Sequence, residues 1–249
     1  MSRFFVRPDQ IDEEHGIVRL ESGDSHHVSQ VLRMRAGETV WALPGDGHEF
    51  EAKLFEVGKR QCLAKITARR WLKTEAQVSV TIAQAIPKSL EKLEWVLQHG
   101  TEVGASGFIV FESGRGRSLS DRLPAKISRW QEIVRSAAEQ SRRAVMPVVE
   151  GVLSYQDVLA RTANFDTALL AYEGERTTRL RDALPKSPAS RILALIGPEG
   201  GFSEAEVRLA REAGAIPVTL GPRILRTETA ALVLLSQIVC LAEEQWEER

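Results

Sequence analysis

The first 73 positions carry short runs in which apolar and polar residues alternate or β-forming residues are frequent, separated by turn residues. Ser2–Val6, Ile17–Leu20, Glu38–Leu43, Glu49–Val57 and Gln61–Arg70 read as short strands. Gly45-Asp46-Gly47 falls between two of them as a hairpin turn. One helix interrupts the series, because Asp24 is placed to cap a run whose Val28, Val31 and Leu32 share a side. Many short strands in so short a stretch predict a small β-barrel. The polar stretch Arg69–Gln77 reads as a linker, so the expected domains are 1–73 and 74–249.

Beyond residue 77 the rhythm changes to strands separated by helices. Val78–Ile86, Gly107–Phe111, Val148-Val149, Phe165–Tyr172, Arg191–Ile196 and Ile216–Leu220 are apolar enough for strands. Leu90, Leu93, Val96 and Leu97 define an amphipathic helix ending near Gly104, and a longer helix runs over Pro124–Gln140. Ser203 and Glu206 make a capping box for a helix with Val207 and Ala210 on one face. Ala231, Leu234, Leu235, Ile238 and Leu241 make the last helix apolar over a broad arc, to be covered by the core or by a partner. The alternation predicts an α/β domain with a mainly parallel sheet.

The chain has 249 residues, 43% hydrophobic and 27% charged, which fits two folded domains and excludes a wholly disordered chain. No apolar run approaches the ~20 residues that span a bilayer. The N-terminus, with Arg7 and no long apolar stretch, argues against a signal peptide. Cys62 and Cys240 are too few for a disulfide framework or a zinc cluster, and a reducing cytoplasm fits them best. His26 and His27 have no Cys, Asp or Glu spacing to complete a metal site, so no metal is expected.

Net charge is near zero, with 33 Lys and Arg against 34 Asp and Glu, yet its distribution is uneven. Residues 112–147 carry eight basic side chains (Arg115, Arg117, Arg122, Lys126, Arg129, Arg135, Arg142, Arg143) and four acidic ones (Glu112, Asp121, Glu132, Glu139), an excess of four. Arg115, Arg117, Arg142 and Arg143 are candidates for phosphate contacts, against the plainer reading of a solvated face. The five tryptophans are scattered, so no aromatic stacking platform is visible.

Candidate chemistry concentrates in Ile192–Cys240. The strand Ile192–Ile196 empties into Gly197-Pro198-Glu199-Gly200-Gly201. Open α/β sheets bind ligands at such glycine-rich strand ends. The spacing is neither that of a P-loop nor that of a dinucleotide fingerprint. Leu220-Gly221-Pro222 ends the next strand in a second glycine turn, followed by Ile224 to Ala231, and the end of a third strand lies at Leu169–Glu173. Three strand ends converging on one pocket would hold a ligand through backbone groups.

Gly197-Pro198-Glu199-Gly200-Gly201-Phe202-Ser203, Leu220-Gly221 and Ile224-Leu225-Arg226-Thr227-Glu228-Thr229-Ala230 together resemble the signature of the RsmE family. That family comprises SPOUT-class ribosomal RNA methyltransferases acting on uridine N3. Gln84–Lys88, Thr101–Gly104, Arg129-Trp130, Glu139–Arg143, His26-His27 and Val31–Arg35 resemble family blocks in the same order. The sequence departs from the family pattern at Gly114 and His99.

The resemblance implies a C-terminal SPOUT α/β domain with a trefoil knot, a PUA-like N-terminal barrel, a homodimer, S-adenosyl-L-methionine, and ribosomal RNA of the small subunit as substrate. It places the methyl donor among Leu170, Ala171, Glu173, Ile196, Gly197, Pro198, Glu199, Gly200, Gly201, Leu220, Gly221, Ile224, Leu225, Arg226, Thr229 and Ala230. Arg226 is the candidate that stabilises negative charge on the uracil, with a phosphate contact or an ion pair to Glu199 or Glu228 as its alternative. Glu199 is either a proton acceptor or a structural carboxylate. Arg3, Arg7, Arg33 and Arg35 of the barrel, with Lys88, Arg115, Arg142 and Arg143, are the expected RNA contacts. Two other readings remain, a non-catalytic RNA-binding protein and a ribose 2′-O-methyltransferase of the same superfamily.

Overall fold

The structure, a computed structural model, describes residues 2–115, 124–185, 187 and 189–247. It falls into two compact units, Met1–Glu75 with Ala138–Met146, and Ala76–Ala137 with Pro147–Arg249. The first unit therefore ends two residues beyond the expected limit at 73 and takes in a second segment that periodicity could not assign.

The first unit is a six-stranded sheet of β1 (Ser2–Phe5), β2 (Ile11–Asp12), β3 (Ile17–Glu21), β4 (Thr39–Leu43), β5 (His48–Val57) and β6 (Gln61–Trp71). Its order is β1-β4-β5-β6-β3-β2, antiparallel except for the parallel pair β1 and β4. Two register shifts in β5, at Glu51/Ala52 and Leu54/Glu56, bend the long hairpin it forms with β6. The sheet encloses one apolar core that includes Val18, Leu20, Val28, Val40, Phe50, Leu54 and Cys62. Buried Arg143 bonds Glu75 through its guanidinium, and the backbone N–H of Ala144 donates to the same carboxylate at 3.0 Å, which ties 138–146 into this unit.

The helix α1 (Ser22–His26) widens into a π-helical turn over His27–Val31. Glu21 occupies the N-cap, so Asp24 lies in the first turn and is not the cap that the sequence suggested. Of the predicted apolar face only Val28 is buried, whereas Val31 and Leu32 are exposed. The π turn breaks the 3.6-residue period on which that expectation rests.

The second unit is built on β7 (Ser79–Ala85), β8 (Gly107–Glu112), β9 (Val148–Ser154), β10 (Thr167–Ala171), β11 (Arg191–Ile196) and β12 (Ala215–Val218). They form an all-parallel sheet in the order β12-β10-β11-β7-β8-β9. Parallel strands covered on both faces need continuous apolar runs, and Ile192 to Ile196 of β11 are all buried. The connecting helices are α2 (Leu90–Val103), α3 (Ile127–Gln140), α4 (Tyr155–Ala160), α5 (Leu180–Ala183), α6 (Glu204–Glu212) and α7 (Thr227–Glu247). The short helices α4 and α5 carry too few turns for a periodicity to register.

From the edge strand β12 the chain returns across the sheet, so that α7 packs on α2, β11 and β7. Ala231, Leu234, Leu235 and Ile238 are buried within the chain, whereas Leu241 of the predicted arc is half-buried. Leu234→Glu is therefore expected to lower the folded fraction itself, since an unpaired buried charge costs several kcal/mol. Thermal melting by circular dichroism checks this. Among the described residues no helix is long and apolar enough to cross a membrane.

Candidate methyl-donor site

The carboxyl ends of β10, β11 and β12 surround a cavity of about 320 Å³. Its walls are Ala171, Tyr172 and Glu173 after β10, Ile196–Glu199 and Gly201 after β11, and Thr219–Thr227 with Ala230 after β12, closed by Arg176. The glycine-rich loop Gly197–Gly201 is fastened from several directions. Thr227, the first residue of α7, donates its hydroxyl to the Gly197 carbonyl at 2.6 Å and accepts from Gln84 Nε2 at 2.9 Å. The backbone N–H of Lys88 and the Lys92 ammonium donate to the Glu199 carboxylate at 3.0 and 2.9 Å. Arg115 Nη1 donates to the Gly200 carbonyl at 3.0 Å.

The capping box expected at α6 is present, with Ser203 Oγ accepting from Glu206 N and the Glu206 carboxylate accepting from Ser203 N. The other Glu206 oxygen accepts from Gly114 N at 3.0 Å, joining the loop after β8 to the same junction. In the turn that carries Arg176, Glu175 accepts from the backbone N–H groups of Arg176, Thr177 and Thr178. Led by the bonds from Thr177 and Thr178, these donors hold its carboxyl down at about 2. The bonded form thus prevails above the ordinary carboxylate range and is lost only as pH falls through about 2.

Most of the expected donor-site residues meet in this cavity. Leu170 does not, being fully buried in the core beneath it, and neither Gly200 nor Thr229 lines it. Tyr172, Pro222 and Thr227, which fall within the motifs but not among the expected donor contacts, line it too, as do Arg176, Thr219 and Arg223. Thr227 carried a usable signal, as a hydroxyl at the start of a helix that is otherwise strongly apolar.

The Glu199 carboxylate is engaged by the Lys88 backbone and the Lys92 ammonium. Burial raises its pKa, but the bonds from Lys92 and from the Lys88 backbone outweigh burial and leave it below the ordinary value. A carboxylate so held is a poor acceptor for a uridine proton. Glu199→Gln is expected to leave the alkaline side of the pH–rate profile in place while loosening the loop, read as a higher KM for the methyl donor. Lys92 lies also 3.7 Å from Glu228, so both carboxylates offered as partners of Arg226 face the lysine. Among the described residues no ion pair engages the exposed Arg226 guanidinium in the cavity wall.

The expected RNA contacts divide by environment. Arg3 is buried against Glu49, with side chains 9% and 6% exposed, and Arg143 is buried against Glu75, so these two are structural and not free for phosphate. Arg7 is exposed but bonded to Asp9 and Glu21. Arg33, Arg35 and Arg142 are exposed, as is Lys88, and Arg115 is exposed while bonded to Gly200. Arg117 and Arg122 lie outside the described residues. Among the described residues no three His, Cys, Asp or Glu side chains gather as a metal site.

The RNA methyltransferase domain model matches residues 74–239, and the RNA methyltransferase PUA domain model matches residues 20–67. A ribosomal RNA small subunit methyltransferase E from Bacillus subtilis is 38% identical over 248 residues, covering 96% of each chain. The crystal structure of the same-named enzyme from Neisseria gonorrhoeae, bound to S-adenosyl methionine, superposes with a TM-score of 0.86 at 31% identity, covering 97% of this chain and 98% of that one. A putative methyltransferase from Legionella pneumophila, also in complex with that cofactor, gives 0.84 at 31% identity over 95% and 96% of the two chains. The chain belongs to the ribosomal RNA small subunit methyltransferase E family, the SPOUT-class family that its motifs resemble.

Proposed function

We propose that the protein transfers a methyl group from S-adenosyl-L-methionine to N3 of a uridine in small-subunit ribosomal RNA. The observation that carries this reading is the cavity itself, in which backbone groups and the apolar side chains of Ile196, Leu220, Ile224 and Leu225 surround a space of about 320 Å³. Its size is in the range of small-molecule sites. Gly221, with φ +109° and no atom within 4 Å of where a side chain would begin, leaves its stretch of wall open to a ligand. The donor supplies a methyl carbon activated by an adjacent sulfonium.

The chain's own residues do the rest. The fastened loop at Gly197–Gly201 would hold and orient the donor for the uracil nitrogen. Uridine N3–H is a weak acid that gives its proton to solvent hydroxide, and the negative charge left on the uracil is stabilised by Arg226, which lines the cavity and has no ion-pair partner among the described residues. The first unit engages the RNA through Arg33, Arg35 and Arg142, and the second through Arg115. The trefoil knot of the SPOUT class belongs to the same reading, formed where the chain returns from β12 to α7. So does a homodimer, using the half-buried Val233, Val239 and Leu241 of α7 that the core leaves uncovered. A cytoplasmic setting follows from the substrate.

Calorimetric titration with S-adenosyl-L-methionine tests the reading against a non-catalytic RNA-binding module. Saturable binding at one site per chain is expected, and no heat of binding at millimolar donor would refute it.

A further inference from the structure

We infer that the turn 31–35 of the first unit is a contact for single-stranded RNA, in which Val31 and Leu32 pack on unpaired bases while Arg33 and Arg35 meet the flanking phosphates. The inference rests on the proposed engagement of RNA by that unit and names the chemistry of the contact.

Val31 is 60% exposed and Leu32 42%, adjacent aliphatic side chains projecting from a unit whose other apolar residues in this segment are covered. The turn is not loose. Val28 is fully buried and Met34 packs against the same core, anchoring it on both sides. Leu32 N–H donates to the His27 carbonyl at 2.8 Å, Met34 N–H to the Val28 carbonyl at 3.0 Å, and Arg35 N–H to the Glu38 carboxylate. Arg33 is held at φ +52°, a left-handed conformation that a non-glycine residue rarely adopts. A fixed backbone that turns apolar side chains outward is preorganised for a partner.

Charge selects the partner. From Ser25 to Gly37 the charged side chains are Arg33 and Arg35, in a stretch bounded by Asp24 and Glu38. The nearest acid in sequence, Glu38, is occupied by the Arg35 backbone. Among the described residues no carboxylate pairs with the Arg33 or Arg35 side chains. An apolar tip in a cationic surround fits a polyanion with exposed apolar faces, which describes unpaired RNA bases between their phosphates. A duplex would offer the arginines its phosphates but would keep its base faces stacked away from Val31 and Leu32.

The test measures binding of the full-length protein to two probes across a salt series, undermethylated small ribosomal subunits and protein-free small-subunit ribosomal RNA. Val31→Ser/Leu32→Ser is expected to weaken binding to both about 5- to 20-fold, with the salt slope unchanged. Arg33→Ala/Arg35→Ala is expected to reduce the slope by about 0.7 per arginine. Both variants are expected to bind S-adenosyl-L-methionine and to melt as the wild type does. Val31→Ala/Leu32→Ala, milder in polarity, is expected to reproduce the loss. Unchanged affinity of both aliphatic variants overturns the inference, and so does a loss on subunits that is absent on protein-free RNA, which would make the partner a protein. If the arginine pair also left affinity and slope untouched, the engagement of RNA by the first unit would fall with it.

Discussion

Arg226→Ala is expected to reduce turnover about 100-fold or more while leaving the affinity for S-adenosyl-L-methionine nearly unchanged. A preorganised cation facing charge that develops in the transition state is worth on the order of 3 kcal/mol. Arg226 can act in this way because Glu199 and Glu228, the two carboxylates offered as its partners, face Lys92, and among the described residues no ion pair engages the arginine in the cavity wall. Removing it takes nothing from the fastening of the glycine-rich loop, which runs through Thr227, Lys88, Lys92 and Arg115. Because the nucleophile is the deprotonated imide, the wild-type rate should climb toward alkaline pH, and the variant should need a higher pH for the same fraction of its maximum. Single-turnover rates at saturating donor, with calorimetry for affinity, separate the two effects. Normal turnover with poor donor binding would reassign Arg226 to the pocket wall.

Gly201→Val is expected to weaken donor binding roughly 10- to 100-fold with the fold retained, whereas Gly200→Val should change it less than about threefold. The glycine-rich run Gly197–Gly201 does not by itself set one of the two apart. The structure assigns that role to Gly201, at φ +63°, where a left-handed backbone costs a non-glycine residue about 1–2 kcal/mol. A Cβ there would lie 2.3 Å from Glu173 Oε1. That carboxylate ends a flexible side chain, so it moves aside and loses its place in the cavity wall. At Gly200 a Cβ would meet Arg115 Cβ at 3.4 Å, close to ordinary contact and outside the cavity. Titration of both variants with the donor decides the order, and equal losses would show that the loop fails as a whole.

What could be read from the sequence was local. The run Ile192–Ile196 and its glycine turn gave a strand and a loop because both signals lie within a few residues. The Ser203 and Glu206 capping box was legible from spacing for the same reason. Glu206 also holds Gly114, 92 positions earlier, and no local pattern carries that bond. Arg143 reads as a surface cation beside Arg142, yet Glu75 draws it into the interior. Val31 and Leu32 read as core because helical periodicity was assumed to continue through a segment that the structure winds as a π turn. Strand order and the return of the chain to α7 are set by which strands pair, which alternation within one strand cannot encode. The methyl donor and the RNA substrate are legible only through motif resemblance, because neither leaves a mark in periodicity or composition.

The most direct test of the central claim is mass spectrometry of nucleosides from undermethylated small ribosomal subunits incubated with the protein and isotopically labelled S-adenosyl-L-methionine. One labelled methyl group per subunit is expected, on a uracil base at N3, and it should be absent when the donor is omitted. Label on a ribose 2′-oxygen, or no incorporation under conditions where the donor binds, would contradict the account.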